Sequence, residues 1–335
     1  MTGPLPEAMV APPAAGRRLW RSGAFWTLVV IVLLGLFAPL VANDVPLVAR
    51  VGGQWQFPAF VDLLGAPPVG PGDLTWKQWW SRLPVGGEDF AWMPPWPHGP
   101  MEADPARFRV GPSWLHPFGN DDTGRDLLAR VIHGARPVVE LGLPAVMLGG
   151  LVGTLLGAWA GLRRGWVDVV VLRAIELFSC FPTLLMLLLV QASFGDSRLA
   201  AVLVLAALFW TSFARMVRGE MLSLRERDFV HVARGLGIAE RRISSRHLLP
   251  LVRGRIGVTA AFALATATVV ESTLAFLGLG TGPAGGSWGQ MLRQGSENAA
   301  TGAWHLWLFP AAAILGMVVA CHRLAESLAS ASQRV

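Results

Sequence analysis

Uncharged stretches long enough to cross a lipid bilayer recur along this chain, and they constrain its fold more than any other feature. A hydrocarbon core takes about 20 helical residues to cross. The stretches cover residues 24–42, 141–162, 177–195, 199–214, 256–270 and 299–321. With 53% hydrophobic and only 15% charged residues, the composition is that of a membrane protein. The sequence therefore predicts an all-α membrane protein with six transmembrane helices.

The fourth and fifth stretches are short for a complete span. The fourth can be extended if Arg215 or Arg218 reaches the lipid headgroups with its long side chain. The fifth can be extended if Glu271 lies at the far interface of the membrane. We expect both helices to continue past their uncharged stretches.

The formal net charge of +6 lies beside the predicted spans rather than being spread along the chain. Between the fourth and fifth spans the arginines are Arg215, Arg218, Arg225, Arg227, Arg234, Arg241, Arg242, Arg246, Arg253 and Arg255. Because cytoplasmic loops carry the excess of Lys and Arg, residues 215–255 are predicted to be cytoplasmic. Both termini then lie in the cytoplasm, and the chain is a multi-pass membrane protein. The charge is explained without nucleic acid as a partner.

The first span resembles a secretory signal peptide in one respect, since Arg17, Arg18 and Arg21 precede an apolar stretch. A cleavable apolar region normally has about 7–15 residues. The stretch here is longer, which favours an uncleaved anchor. We therefore divide the chain into a cytoplasmic tail (1–23), a first transmembrane helix (24–43), a periplasmic insertion (44–137) and a five-helix core (138–330).

The insertion between the first and second spans is rich in tryptophan. Its members are Trp55, Trp76, Trp79, Trp80, Trp92, Trp96 and Trp114. They could lie at the membrane interface or pack a small loop-rich subdomain. They could instead form a surface that meets a substrate-carrying protein or lines the mouth of a path. The sequence leaves both interpretations open.

The sequence has no nucleotide-binding or catalytic motif. A P-loop needs a Lys after a glycine-rich loop, and the only lysine, Lys77, has no such loop before it. His-Glu-x-x-His, Gly-x-Ser-x-Gly and Cys-x-x-Cys are also absent. Cys180 and Cys321 both fall inside predicted spans and are interpreted as packing residues. We therefore predict no metal site, no cofactor and no enzymatic activity in this chain, so that any ATP-driven step belongs to a partner.

Ionisable residues in or near the spans are the next candidates, because a charge in lipid is costly and often functional. Glu271 is the only acid near the end of the fifth span and could line a translocation path. Arg173 and Glu176 are three residues apart, so they share a helix face and can pair.

The cytoplasmic segment 215–255 predicts two short helices that meet at a corner. Gly237 can take the left-handed conformation that ends a helix, and Pro250 suits the first turn of the next. An apolar face is predicted from residues spaced i, i+3, i+4, i+7, namely Phe229, Val232, Ala233 and Leu236. Such a face could lie on lipid headgroups or dock in a groove of a protein.

This corner resembles the coupling motif of ABC importer permeases, Glu-Ala-Ala-x-x-x-Gly followed by an apolar-Leu-Pro. The matching residues are His231-Val-Ala233, Gly237 and Leu248-Leu249-Pro250. His231 stands where the family has Glu, and Val232 where it has Ala. These two departures concern a polar contact, whereas the spacing of the corner is kept.

Further stretches resemble the dipeptide and oligopeptide branch of these permeases. Residues 116–126 are similar to its motif before the second span and contribute Gly119, Asp121, Asp122, Gly124, Arg125 and Asp126. Residues 276–280 with 287–289 are similar to its loop between the fifth and sixth spans. The acids lack the alternate spacing of a calcium loop, and we interpret them as capping the short helix that follows. Residues 40–50 and 53–58 resemble the long-loop, Yej-type subgroup that imports microcin C and oligopeptides.

The resemblance implies a type I ABC importer permease fold that translocates peptides across the bacterial inner membrane. The implied partners are a second homologous permease, ATPase subunits that bind ATP and magnesium, a periplasmic substrate-binding protein, the peptide and membrane lipids. A membrane-embedded enzyme or scaffold would require catalytic side chains at one depth. An ion-coupled carrier would require several acids facing one another in the core. Neither pattern is present in the sequence.

Overall fold

The computed structural model describes residues 23–66, 68–72, 74–83, 88–163, 165–195, 197–280 and 286–332. The predicted cytoplasmic tail therefore lies outside the described residues, apart from Gly23. In chain order the helices are α1 (Gly23–Val41), α2 (Pro58–Leu63), α3 (Trp76–Ser81), α4 (Leu127–His133), α5 (Leu143–Arg163), α6 (Trp166–Ser179), α7 (Thr183–Phe194), α8 (Arg198–Leu224), α9 (Asp228–Gly235), α10 (Glu240–Ile243), α11 (Leu249–Phe276), α12 (Trp288–Glu297) and α13 (His305–Ser332). Helices thus dominate the described chain, as the sequence predicts.

Five helical runs in the described part of the chain are long and apolar enough to cross a membrane. They are Gly23–Val41, Leu127–Arg163, Arg198–Leu224, Arg246–Phe276 and His305–Ala331. The pair α6 and α7 adds a sixth if the two bent helices are counted as one span. Five to six candidate spans agree with the membrane class that the sequence predicts.

The prediction of a single helical span over residues 177–195 is wrong. Instead of one straight helix, α6 ends at Ser179 and α7 begins at Thr183, with their axes bent by 75°. Pro182 has no N–H to continue the helical hydrogen bonds, and it disfavours the helical conformation at Phe181. The span is therefore broken at residues 180–182.

The other spans differ from the uncharged stretches mainly at their ends. Helix α8 continues through Arg215 and Arg218, and α11 continues through Glu271, so the two short stretches are extended as expected. The sixth predicted span starts too early, because α13 begins at His305 rather than at residue 299. A separate 3-10 turn occupies Ala299–Thr301, and Gly302, with φ of 75°, ends it in the left-handed conformation.

Close packing of α5 against α8 forms the centre of the bundle. A Cβ added to Gly153 would lie 2.3 Å from the carbonyl oxygen of Trp210. One added to Gly157 would lie 2.5 Å from that of Ala214. Small residues at this spacing let two membrane helices approach backbone to backbone, where van der Waals contact replaces the hydrophobic driving force.

Part of the segment 44–137 is a small β-sheet, so the all-α prediction is incomplete. Strands β1 (Val48–Val51), β2 (Gln54–Gln56) and β3 (Phe90–Trp92) pair antiparallel in the order β2-β1-β3. Gly52 and Gly53, both with positive φ, form the two-residue turn between β1 and β2. That glycine pair between two short apolar runs was the sequence signal for a hairpin.

The tryptophans of this segment have two different environments. Trp76 is buried in a separate core with Val45, Ala49 and Ala59, which agrees with a packed subdomain. In contrast, Trp114 is fully exposed, and Trp55 and Trp92 are exposed to 59% and 68%.

Candidate functional site

The corner in the segment 215–255 has the predicted geometry. Gly237 follows α9 with φ of 75°. Its N–H donates to the carbonyl of Arg234 at 2.9 Å, and the N–H of Ile238 donates to that of Ala233 at 3.1 Å. These two bonds close the helix end in a Schellman motif. Pro250 lies in the first turn of α11, also as predicted.

The predicted apolar face of α9 is divided between two environments. Val230, which the sequence pattern did not select, is fully buried in one cluster with Met221 of α8 and Val252 of α11. Phe229 and Ala233 pack beside it and are partly buried.

Val232 and Leu236, in contrast, point outward, with 62% and 75% of their surface exposed. We call these two residues the outer stripe of α9. They are one helical turn apart, so they form a continuous apolar strip. A helix that is anchored on one side and apolar on the other is suited to contact a second surface.

The remaining residues of the coupling motif fall on both sides of the corner. His231 is exposed beside the outer stripe, and its side chain makes no hydrogen bond with any residue that the structure describes. Leu249 packs against the cluster around Val230, and the neighbouring Leu248 is buried in it. The Leu-Leu-Pro part of the motif thus supports the helix, whereas His231 is available to a partner.

Several arginines of this segment hold helices together. Arg218 of α8 forms a bidentate pair with Asp168 of α6, with Nη2 to Oδ2 at 2.7 Å. Arg255 of α11 pairs with Glu220 of α8. These arginines, whose charge predicts the cytoplasmic side, therefore also link α6, α8 and α11 at this end of the bundle. Arg225 contributes by donating to the carbonyl oxygen of Leu162 at 3.0 Å, beside the end of α5.

At another place in the chain, the motif 116–126 forms a tight turn. Gly119 and Gly124 have φ of 79° and 80°. A Cβ on Gly124 would lie 2.0 Å from the carbonyl oxygen of Asp104, so a side chain cannot fit there. Oδ1 of Asp121 accepts the N–H groups of Thr123 at 2.8 Å and Arg125 at 2.9 Å.

The carboxylate of Asp121 is buried between two guanidinium groups. Its Oδ2 accepts from Nε of Arg125 at 2.8 Å and from Nη1 of Arg130. Burial raises the pKa of Asp121, but Arg130 and Arg125 outweigh it and hold that pKa below its usual value. A buried anion is stable here because its lone pairs are all used by donors.

Asp126 is the acid that caps the following helix. Its Oδ1 accepts the N–H of Ala129 at 2.7 Å and the indole N–H of Trp96 at 2.9 Å, while Oδ2 contacts Nδ1 of His116 at 2.6 Å. The capping role predicted for all three acids thus applies to Asp126 alone. Asp121 closes the turn and binds arginine, and Asp122 is half-buried with no hydrogen bond to its Oδ1 from the described residues.

This motif is connected to the loop between the last two spans, a link that sequence reasoning missed. Nη1 of Arg130 donates to Oε1 of Gln294 in α12 at 2.7 Å. The indole N–H of Trp288 donates to the carbonyl oxygen of Val131 at 2.8 Å. Gly289 lies against α11 so closely that a Cβ would be 2.0 Å from the carbonyl oxygen of Ser272. The two family-like motifs therefore form one packed unit.

Glu271 is buried near the end of α11, beside that unit. Its Oε2 accepts from the hydroxyl of Ser272 at 3.5 Å, and its Oε1 is buried with no hydrogen bond from the residues that the structure describes. It also lines a small pocket with Leu187 and Gln191. A role of Glu271 in a translocation path stays a prediction.

The smaller predictions have mixed outcomes. Arg173 and Glu176 do pair, at 2.7 Å, on an exposed helix face. Cys321 is buried as a packing residue, but Cys180 is exposed at the break between α6 and α7. Among the residues that the structure describes, no group of His, Cys, Asp and Glu could hold a metal ion.

Comparison with known proteins identifies the family. Residues 153–332, more than half of the chain, match the family described as binding-protein-dependent transport system inner membrane component. The chain belongs to this family. It is therefore the membrane component of a transport system, which agrees with the absence of a catalytic motif from its sequence.

Named relatives agree with the family. A Brucella suis biovar 1 protein named as a peptide permease is 35% identical over 237 residues, covering 70% of this chain and 78% of the relative. A Brucella abortus protein named as a peptide transport system permease is 35% identical over 238 residues, covering 70% and 80%. The dipeptide transport system permease protein DppC of Alkalihalophilus pseudofirmus is 33% identical over 230 residues, covering 69% and 75%.

Proposed function

We propose that this chain is one of two homologous permease subunits of an ABC importer that carries peptides across the inner membrane. The names of its relatives support peptide as the substrate. The motifs at 116–126 and 276–289 support the dipeptide and oligopeptide branch. ATP and magnesium bind to the partner ATPase subunits, and a periplasmic binding protein delivers the peptide.

The outer stripe of α9 is the observation that carries this proposal. Val232 and Leu236 form an exposed apolar strip in an arginine-rich segment, and the opposite side of the helix is anchored by Val230. We assign the stripe to a groove of an ATPase subunit rather than to lipid headgroups.

The anchoring of α9 provides a mechanism for coupling. Val230 belongs to one buried cluster with residues of both α8 and α11, so a displacement of α9 by the ATPase would be transmitted through this cluster to two spans. The ion pair between Arg255 and Glu220 joins the same two helices. Closure of the ATPases would then rock the spans between inward-open and outward-open states as a rigid-body movement.

The topology of the proposal follows from charge. Residues 215–255 and both termini lie in the cytoplasm, the chain crosses the membrane six times, and residues 44–137 form the periplasmic insertion. In this arrangement the exposed Trp55 and Trp92 lie on the side where a binding protein docks. Substrates of the Yej type, microcin C and oligopeptides, are the narrowest form of the proposal, supported by residues 40–58.

The test is co-purification of the ATPase subunits with variants of the outer stripe. We expect Leu236→Asp, which places a charge in the docked surface without disturbing the core, to reduce the amount of co-purified ATPase and peptide uptake at least about tenfold. Leu236→Met keeps the apolar contact and should behave like the wild type.

Leu64→Asp is the positional control, because Leu64 is even more exposed but lies in the segment 44–137. It should leave ATPase binding unchanged. Normal co-purification and uptake with Leu236→Asp would show that the stripe does not dock on the ATPase.

A further inference from the structure

A cavity of about 290 Å³ lies where α6, α7, α8 and α11 meet, separate from the pocket of Glu271. Hydroxyl groups from all four helices, including the end of α6, line it. They belong to Ser179, Thr183, Thr211, Ser212, Thr259 and Thr266. We call this the hydroxyl cavity. So many hydroxyl groups on one surface, in helices that are otherwise apolar, make this surface suited to a polar occupant.

The hydroxyl cavity lies halfway along the membrane-spanning helices. Thr211 and Ser212 are at the middle of α8, which runs from Arg198 to Leu224. Thr259 and Thr266 flank the middle of the run Arg246–Phe276. The break at residues 180–182 is likewise the middle of the bent pair α6 and α7. Arg215 lies one helical turn beyond Thr211 and Arg255 one turn before Thr259, so under the charge-based topology the cavity extends from the cytoplasmic side of the spans toward their middle.

The break itself is a second, independent sign of a polar interior. Interrupted helical backbone at membrane depth is tolerated only where it is buried in protein or lines a water-filled cavity. No side chain caps the first turn of α7, and Phe181 and Cys180, at the break, are exposed. This chain therefore does not bury the broken backbone itself, and the hydroxyl cavity is the polar space beside it.

The threonines present acceptors to this space. Thr259 donates its hydroxyl proton to the carbonyl oxygen of Arg255 at 3.1 Å, and Thr266 donates to that of Phe262 at 2.9 Å. Thr211 does the same toward Leu208 at 2.8 Å. A hydroxyl has one proton and two lone pairs, so these three can only accept from the cavity side.

None of the residues that the structure places in the wall of the hydroxyl cavity is charged. Arg215 contacts the edge of the cavity, where it donates to Oγ of Ser179 at 3.1 Å. The rest of the wall is apolar and includes the rings of Phe181 and Phe262. A cationic side chain would lose its hydration here without gaining an acidic partner in the wall. A group with N–H donors and no net charge fits better.

We propose that the hydroxyl cavity binds the backbone N–H groups of a peptide as it crosses the membrane. This inference rests on the proposed function, because peptide transport supplies the ligand. In this proposal the permease recognises the peptide backbone, which all peptides have in common. Selection among peptide side chains is left to other parts of the transporter.

The test compares two probes in proteoliposomes that contain the whole transporter with its binding protein. One is tri-alanine, and the other is a depsipeptide of tri-alanine in which an ester oxygen replaces one amide N–H. We expect the wild type to prefer tri-alanine. Replacing the acceptors in Thr259→Val/Thr266→Val should reduce this preference about three- to tenfold, the equivalent of one lost hydrogen bond.

Thr273→Val is the matched control, because Thr273 is in the same helix and donates to the carbonyl of Val269 at 2.8 Å but does not line the cavity. It should keep the wild-type preference. Ser212→Ala, which removes a single exposed hydroxyl from the cavity wall, is a second variant with little risk to folding. Melting temperatures in detergent check that all variants fold.

An unchanged preference in both the double variant and Ser212→Ala would overturn the inference and leave peptide transport intact. Absence of tri-alanine uptake by the wild-type transporter would contradict the proposed function, and the inference would fall with it.

Discussion

The buried guanidinium of Arg130 donates a hydrogen bond to Oε1 of Gln294, 2.7 Å away and 164 residues further along the chain. The same group pairs with the buried carboxylate of Asp121. Arg130 therefore joins the turn before α4 to the helix before the last span. Two segments that each look like a local motif are parts of one structural unit.

Arg130→Met should destabilise the protein strongly, because it leaves the buried Asp121 with only Arg125 as a charged partner. Breaking a buried ion pair costs about 3–5 kcal/mol. The melting temperature of the purified protein in detergent measures the effect. Arg293→Met is the control: Arg293 also pairs with an acid, Glu297, but this pair is exposed and should cost less than about 1 kcal/mol. Equal losses in both variants would argue against the structural role of Arg130.

Gly153→Ala should separate α5 from α8, since its Cβ would lie 2.3 Å from the carbonyl oxygen of Trp210. Overpacking of this kind costs about 1–3 kcal/mol or more. Gly219→Ala, in the interior of α8, meets no atom within 4 Å and should be neutral or slightly stabilising. Thermal unfolding in detergent compares the two, and a neutral Gly153→Ala would contradict the close approach.

Gly237→Ala should weaken coupling to the ATPase, because an alanine at φ of 75° is strained by about 1–2 kcal/mol. We expect less co-purified ATPase and slower peptide uptake. Gly235→Ala is matched to it two residues away: it lies in α9 and, like Gly237, has open space around it, but it lacks the positive φ. If both alanines behave alike, the corner conformation is not what matters.

The segment 44–137 should lose stability in acid through Glu102. Burial raises the pKa of Glu102, but His98, with Nδ1 3.8 Å from Oε2, and the hydrogen bonds and charge of Lys77 outweigh it and lower the pKa to about 2. A carboxyl group with a lowered pKa in the folded state stabilises above its unfolded pKa. That stabilisation is lost as the pH falls from about 4.5 toward 2. The partly exposed pair should contribute on the order of 1–2 kcal/mol after screening.

The measurement is the melting temperature of the wild type and Glu102→Gln between pH 7 and pH 3. The variant should be less stable at neutral pH, and the difference should shrink as the pH approaches 3. Glu297→Gln, in an exposed pair on α12, should show little difference at either pH. A gap between wild type and Glu102→Gln that does not change with pH would contradict the role of the charged form.

Local features of the chain could be predicted from its residues. Gly237 and Pro250 mark helix ends through their own backbone geometry, and both are where the sequence places them. The break at Pro182 was also a local signal, but the long uncharged stretch around it outweighed it in the prediction. The Gly52-Gly53 hairpin was missed in the same way, because membrane character dominated the interpretation of the flanking sequence.

The membrane class, the approximate positions of the spans and the transporter motifs were determined by the sequence alone, because hydrophobic length, charge bias and turn chemistry are properties of consecutive residues. Which residues of α9 face outward, which arginines pair and where the hydroxyls converge were decided only by the tertiary structure. Val230 rather than Val232 is buried because its side of α9 joins a cluster with side chains of α8 and α11. Thr211 of α8 and Thr266 of α11 line one cavity because the two helices come together there. The spacing of residues within either helix does not predict this contact.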